Sequence, residues 1–118
     1  MSEGPLFYAT RAHLLLCTGP RCTRRGSPRV LEHAWSELES RALAYYKRGG
    51  SIRLTEAGCL GQCSHGPTLA VYHASEGGPD ERASLSEAWY VGVDARTVVE
   101  VAEAAHLGAP LPSRGRFR

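Results

Sequence analysis

All four cysteines of this chain fall in two tight pairs, Cys17-x4-Cys22 and Cys59-x3-Cys63. Each pair occupies a glycine-bearing loop after a short apolar or alternating run. One loop reads Leu14-Leu15-Leu16-Cys17-Thr18-Gly19-Pro20-Arg21-Cys22, the other Gly58-Cys59-Leu60-Gly61-Gln62-Cys63-Ser64-His65-Gly66-Pro67. Any fold for this chain has to carry two cysteine loops at strand ends. Four soft thiolates on two neighbouring loops suit one metal centre, either tetrahedral zinc or an iron–sulfur cluster.

The rest of the pattern supplies the frame. His13 to Leu16 is a brief apolar run that reads as a buried strand ending at Cys17. Ser27-Pro28 is a helix start, with Ser27 as the cap and Pro28 at the first helical position. Leu31, Ala34, Trp35, Leu38, Ala42 and Tyr45 then fall on one helical face. Lys47, Arg48, Gly49 and Gly50 close that helix. Ile52 to Thr55 alternates as a second strand, and the second cysteine loop follows it. Thr68 to His73 is a third strand and Trp89 to Val93 a fourth. The polar, glycine-bearing segment from Ala74 to Glu87 forms the long, mobile tip of the hairpin between them. Asp94 caps a last helix in which Val98, Val101, Ala102 and Ala105 share a face, and Gly108 ends it.

The expected order is β-α-β-β-β-α, a single mixed four-stranded sheet flanked by helices in an α/β domain. Residues 1–12 read as an N-terminal extension, 13–108 as the domain, and 109–118, with two prolines and three arginines, as a loose C-terminal tail. At 118 residues the chain supports one domain with its own core. No apolar run approaches the roughly 20 residues that span a bilayer, so no membrane association is expected. The start of the chain carries no secretory pattern, which makes a reducing cytoplasm the expected setting. In such a compartment clustered cysteines bind metal or do redox chemistry more often than they form structural disulfides. The formal charge of +2 is too small to imply a nucleic-acid partner.

Three chemistries compete for the cysteines. A structural zinc site tolerates the x4 and x3 spacings, but the 36 residues between Cys22 and Cys59 hold a helix and a strand, more structure than small zinc modules place between their pairs. A disulfide within Cys59-x3-Cys63 closes a very small loop and is disfavoured in a reducing setting. A [2Fe–2S] cluster needs two thiolates for each iron, which a tight pair on each loop supplies. Gly19, Gly58, Gly61 and Gly66 let backbone N–H groups converge on an electron-rich centre.

The second loop resembles a known family. Gly58, Cys59, Leu60, Gly61, Cys63, Ser64, Gly66 and Pro67, together with the Cys17-x4-Cys22 pair after the first strand, match the pattern of the thioredoxin-like [2Fe–2S] ferredoxins. That group also includes the cluster domain of the NADH dehydrogenase small subunit. The resemblance runs from about His13 to Leu107. It implies a thioredoxin-like fold and one [2Fe–2S] cluster near the surface, often in a homodimer, with Cys17, Cys22, Cys59 and Cys63 as ligands. It implies a one-electron carrier between redox partner proteins rather than an enzyme. The alternatives are an electron-transfer component of a larger oxidoreductase or cofactor-biosynthesis complex, and a zinc-stabilised interaction module.

Other residues are candidates of a weaker kind. His13 and His65 flank the cysteines, and a Rieske-type centre would use two histidines, but four cysteines already complete the shell. Arg21, Arg24 and Arg25 beside Cys22 read either as a docking patch for an acidic redox partner or as a solvated loop in which Arg21 offsets cluster charge. Trp35, Tyr45, Tyr46, Trp89 and Tyr90 read as packing residues. No phosphate loop, nucleophile elbow or open metal motif is present.

Overall fold

The computed structural model describes residues 10–60, 66–74 and 85–118. Its elements are β1 (Ala12–Cys17), α1 (Pro20–Arg24), α2 (Ser27–Ser40), β2 (Ile52–Ala57), β3 (Leu69–Ala74), β4 (Leu85–Tyr90) and α3 (Ala95–Leu107). The four strands form one mixed sheet in the order β2-β1-β3-β4. β1 and β2 run parallel, with Cys17 opposite Ala57. β3 is antiparallel to both β1 and β4.

Period-two alternation sorts the strand residues between the two faces. Ala12, Leu14, Leu16, Ile52, Leu54, Leu69, Val71, Ala88 and Tyr90 belong to one buried cluster, together with Ala34 and Leu38 of α2 and Val98, Val101 and Ala102 of α3. Both long helices therefore pack on the same face of the sheet. Burying each large aliphatic side chain in that layer contributes roughly 1.5–3 kcal/mol. Among the described residues no helix is long and apolar enough to cross a membrane.

Four expectations need correction. Ser27 does not cap α2. Gly26 does, in the left-handed region at φ 94, because the unforeseen short helix α1 runs directly into α2 and the chain must turn sharply there. Arg25 N–H donates to the Cys22 carbonyl and Gly26 N–H to that of Thr23. Ser27 is instead buried, and its hydroxyl has no hydrogen-bond partner among the described residues.

The helix also stops at Ser40 rather than running past Tyr45. Ala42 takes φ 55, its N–H donates to the Glu39 carbonyl, and Leu43 N–H donates to the Leu38 carbonyl at 2.8 Å. This is a Schellman stop, in which Leu38 and Leu43, both buried, lie at the positions that make its hydrophobic contact. Ala44 then bridges Ile52 along the outer edge of β2.

The fourth strand is Leu85–Tyr90 rather than Trp89–Val93. Its register is set by pairing, Leu69 opposite Tyr90 and Ala74 opposite Leu85. Of the segment expected to be a mobile tip, Ala74 belongs to β3 and Leu85 to Glu87 to β4, and residues 75–84 lie outside the described residues, as does most of the expected N-terminal extension.

Residues 109–118 are not a loose tail. Phe117 N–H donates to the Trp89 carbonyl, Trp89 N–H to that of Arg118 and Val91 N–H to that of Gly115, each at 3.0 Å. The buried Tyr90 hydroxyl donates to the Pro112 carbonyl at 2.6 Å, and Leu111 packs on the core. The last helix follows expectation at both ends. Asp94 accepts from Thr97 N–H at 2.8 Å, and Gly108 closes α3 in the left-handed region.

Two stability predictions follow from these termini. Hydrogen bonds from the Thr97 backbone and hydroxyl hold the Asp94 carboxyl below its ordinary value of 3.8. The carboxylate's stabilisation is whole above that value and is lost as pH falls through it toward the lower folded-state pKa. Asp94→Ala is expected to cost about 1 kcal/mol in urea unfolding at pH 7, with the gap to wild type closing in acid. Ala42→Gly is expected to stabilise by roughly 0.5 kcal/mol, since relief of a left-handed alanine outweighs the added unfolded-state entropy. The same titration measures it.

Candidate metal centre

Parallel pairing brings the C-terminal ends of β1 and β2 out on the same side of the sheet. The antiparallel β3 begins at that side. Cys17 is the last residue of β1 and is fully buried, and its N–H donates to the Thr68 carbonyl at 2.9 Å. The next residue, Thr18, ties the two parallel strand ends together. Its N–H and its hydroxyl both donate to the Ala57 carbonyl at 2.7 Å. Cys59 lies two residues beyond Ala57 and is exposed.

Cys22 sits on α1, which folds back over the end of β1. Thr23 N–H donates to the Gly19 carbonyl at 2.9 Å and the Thr23 hydroxyl to the Thr18 carbonyl at 3.0 Å, so α1 is fastened to the loop that precedes it. The Cys22 thiol is fully buried. Burial pushes its pKa up, its hydrogen bond with the Cys17 thiol adds to the rise, and Thr68 opposes it. The two thiols of the first pair are thus in contact.

The glycines are placed where two loops meet. A Cβ at Gly19 would lie 3.1–3.3 Å from the Cα, Cβ and N of Cys59, so the first cysteine loop passes directly against the second. A Cβ at Gly66 would collide with the Cys22 Sγ. Gly66 is therefore the point at which returning chain presses on a thiol, and only a hydrogen fits there. Beside it the Thr68 side chain is buried, and Val93 N–H donates to the Pro67 carbonyl at 3.1 Å, which anchors this segment to the chain leaving β4.

Three of the four expected cysteines are therefore brought to one end of the sheet. Cys63 and His65 lie outside the described residues, and among the described residues no group of three or more Cys, His, Asp or Glu side chains is closed tightly enough to hold an ion by itself. His13 is not at the site. It lies opposite Arg53 on β2 and Tyr72 on β3, with its Nε2 2.8 Å from the Thr55 hydroxyl, and burial together with the Arg53 charge lowers its pKa. It lies four residues before Cys17 along β1, about 13 Å of strand. Thr68 and Gly66 are the contributors that residue-type reasoning left undefined. Gly66 belongs both to the glycine-rich surround and to the family pattern, and its role in the structure is steric. The polar groove between α2 and α3 lies elsewhere, and Glu37, Arg41, Arg96 and Glu100 on its walls are engaged in ion pairs.

The thioredoxin-like [2Fe–2S] ferredoxin family matches residues 8–82. A 2Fe–2S ferredoxin of Clostridium pasteurianum is 30% identical over 99 residues, 77% of this chain and 80% of that one. The solved structure of a thioredoxin-like [2Fe–2S] ferredoxin from Aquifex aeolicus shares the fold with a TM-score of 0.60, at 24% identity over 87% of each chain. A cysteine-to-serine variant of that ferredoxin gives 0.65, at 22% identity over 91% of this chain and 98% of the other. The chain belongs to the thioredoxin-like [2Fe–2S] ferredoxin family, and its cofactor is a [2Fe–2S] cluster, the second of the two centres that four thiolates suit.

The residues present fit such a group. Two buried thiols in contact, a third cysteine on the adjoining strand end and a glycine cradle against Cys22 Sγ form a thiolate-rich, partly desolvated pocket. Gly66→Ala is expected to lower the visible absorbance per chain severely while far-ultraviolet circular dichroism keeps its native shape. Gly19→Ala, whose Cβ needs a shift of only a few tenths of an ångström, is expected to lower it less.

Proposed function

We propose that this protein is a one-electron carrier between redox partner proteins, with Cys17, Cys22, Cys59 and Cys63 as the four ligands of its cluster. When bound, the cluster supplies one-electron oxidation and reduction. The observation that carries the reading is the convergence of the Cys17 and Cys22 thiols with Cys59 on adjacent parallel strand ends. Cys63 completes the set by its place in the second cysteine loop.

The chain's own residues divide the work. Burial of Cys17 and Cys22 excludes water from one side of the site. The exposed Cys59 leaves the other side near the surface, as electron exchange with a partner requires. Thr18 and Thr68 tie the strand ends to one another at the site. The reading carries with it a reducing, cytoplasmic setting, in which thiols remain available as ligands rather than pairing as disulfides. It assigns the protein no bond-making chemistry of its own.

The deciding measurement is the visible spectrum of anaerobically purified protein before and after dithionite, with iron, sulfide and zinc assayed on the same sample. The expected result is a red-brown protein that bleaches and holds about two irons and two sulfides per chain. Cys59→Ser is expected to abolish or destabilise the normal centre. A colourless protein with about one zinc per chain that rebuilds no cluster would sink the reading, and an unchanged Cys59→Ser spectrum would sink the ligand assignment.

A further inference from the structure

We propose that the end of the molecule carrying Cys17, Cys22 and Cys59 is a docking surface for an acidic protein face, with Arg24, Arg25 and Arg29 forming one side of its rim and Arg114 and Arg116 the other. The inference rests on the electron-carrier reading and adds to it the sign and the location of the contact.

Topology places both halves of the rim. Arg24 closes α1 two residues after Cys22, and Arg25 and Arg29 continue across the junction into the first turn of α2. Tyr90 is opposite Leu69, and Leu69 is opposite Leu16, the neighbour of Cys17. Arg116 bridges Tyr90, so it occupies the same end of the sheet, about three strand spacings or 14 Å across from β1. Arg114 lies close enough to Asp94, the cap of α3, to lower its pKa. The C-terminal segment, expected to be loose, is what fixes this second group of charges in place.

All five arginines are exposed, and among the described residues none of them pairs with an Asp or Glu side chain, although Arg116 Nε donates to the Arg118 O at 2.9 Å. Three other arginines are paired. Arg41 is bound to Glu37 and Glu103, Arg96 to Glu100 and Arg118 to Glu87. Arg11, Lys47, Arg48 and Arg53 likewise have no carboxylate partner among the described residues, but the cysteine end gathers five such arginines together. The amino termini of α2 and α3 also point to this end, with no acidic residue in the first turn of either, so the helix dipoles add to the same sign. Glu56, at the end of β2 opposite Leu16, and Asp94 are the carboxylates that oppose it. Residues 61–65 contain no carboxylate.

A surface of one sign beside a redox centre steers an oppositely charged reactant and raises its encounter rate in a salt-dependent way. An acidic protein fits better than a nucleic acid, because the rim surrounds the point of electron exchange. Phe117, the exposed ring beside Arg116, is packed against Trp89 at 6.4 Å rather than presented as a stacking platform.

The test uses the holoprotein and small oxidants of opposite charge. The dithionite-reduced protein is mixed in stopped flow with ferricyanide, an anion, and with tris(phenanthroline)cobalt(III), a cation, over a range of ionic strength. The ferricyanide rate constant is expected to fall as salt rises, and that of the cobalt complex to rise or stay flat. Arg24→Gln/Arg25→Gln and Arg114→Gln/Arg116→Gln should each keep the wild-type visible spectrum. Each should lower the low-salt ferricyanide rate by about threefold or more and flatten its salt dependence. Poly-L-glutamate should slow ferricyanide at least as strongly as a DNA duplex of equal charge.

A wild-type salt slope of zero or of the opposite sign overturns the proposal, as does a wild-type slope in both variants. A duplex that inhibits tenfold more strongly than polyglutamate overturns the choice of an acidic protein. A protein that never bleaches with dithionite removes the electron-carrier reading itself, an outcome distinct from one that bleaches but shows no steering.

Discussion

The parallel pairing of β1 with β2 is the constraint from which the rest follows. Two parallel neighbours need a crossover of a dozen or more residues, and here α1, α2 and the turn after them provide it. The same pairing forces both strands to end on one side of the sheet. Each end carries a cysteine loop, and the doubly bonded Ala57 carbonyl locks one to the other. β3 then starts at that side and contributes Thr68, whose carbonyl binds Cys17 N–H and whose side chain meets Cys22. Among the described residues, three strand ends and one short helix build the site.

Stability and site construction use the same residues. Leu14 and Leu16 lead along β1 from the helix-covered core to Cys17, and Leu69 leads from Thr68 back into that core. Cys17 and Cys22 are buried as completely as these leucines. A thiol in such a place is disfavoured as a free anion, which is why burial raises the pKa of Cys22. Binding to metal reverses that preference by supplying the charge that desolvation would otherwise make costly. The position therefore suits a ligand better than a freely titrating thiol.

Local chemistry carried some elements into view and hid others. The end of β1 at Cys17 and the caps of α3 were legible because each depends on neighbours in sequence, as with Asp94 and Thr97 or Gly108 after Leu107, whereas the helix that carries Cys22 was read as a loop. The end of α2 was not legible either, because its stop uses Ala42 in a backbone region where glycine is the usual signal, while Ala42 and Tyr45 continue the apolar periodicity. β4 was misplaced because Trp89 to Val93 looks more strand-like than Leu85 to Glu87, and only pairing with β3 decides the register. The C-terminal segment depends on hydrogen bonds to Trp89 and Val91, more than twenty residues away, which no local pattern announces. Cys63, His65 and the hairpin tip lie outside the described residues.

The chain itself covers part of each margin of the sheet. Ala44 bridges Ile52 at the start of β2, and Arg116 to Arg118 lie beside Trp89 and Tyr90 at the end of β4. Open margins are where one protein lends another a strand, a mode of contact that reads backbone and is tolerant of sequence. With that route narrowed at one end of each edge strand, recognition of this molecule leans on its side chains. Its choice of partner is then written in residues that a single substitution can rewrite, while the sheet beneath stays the same.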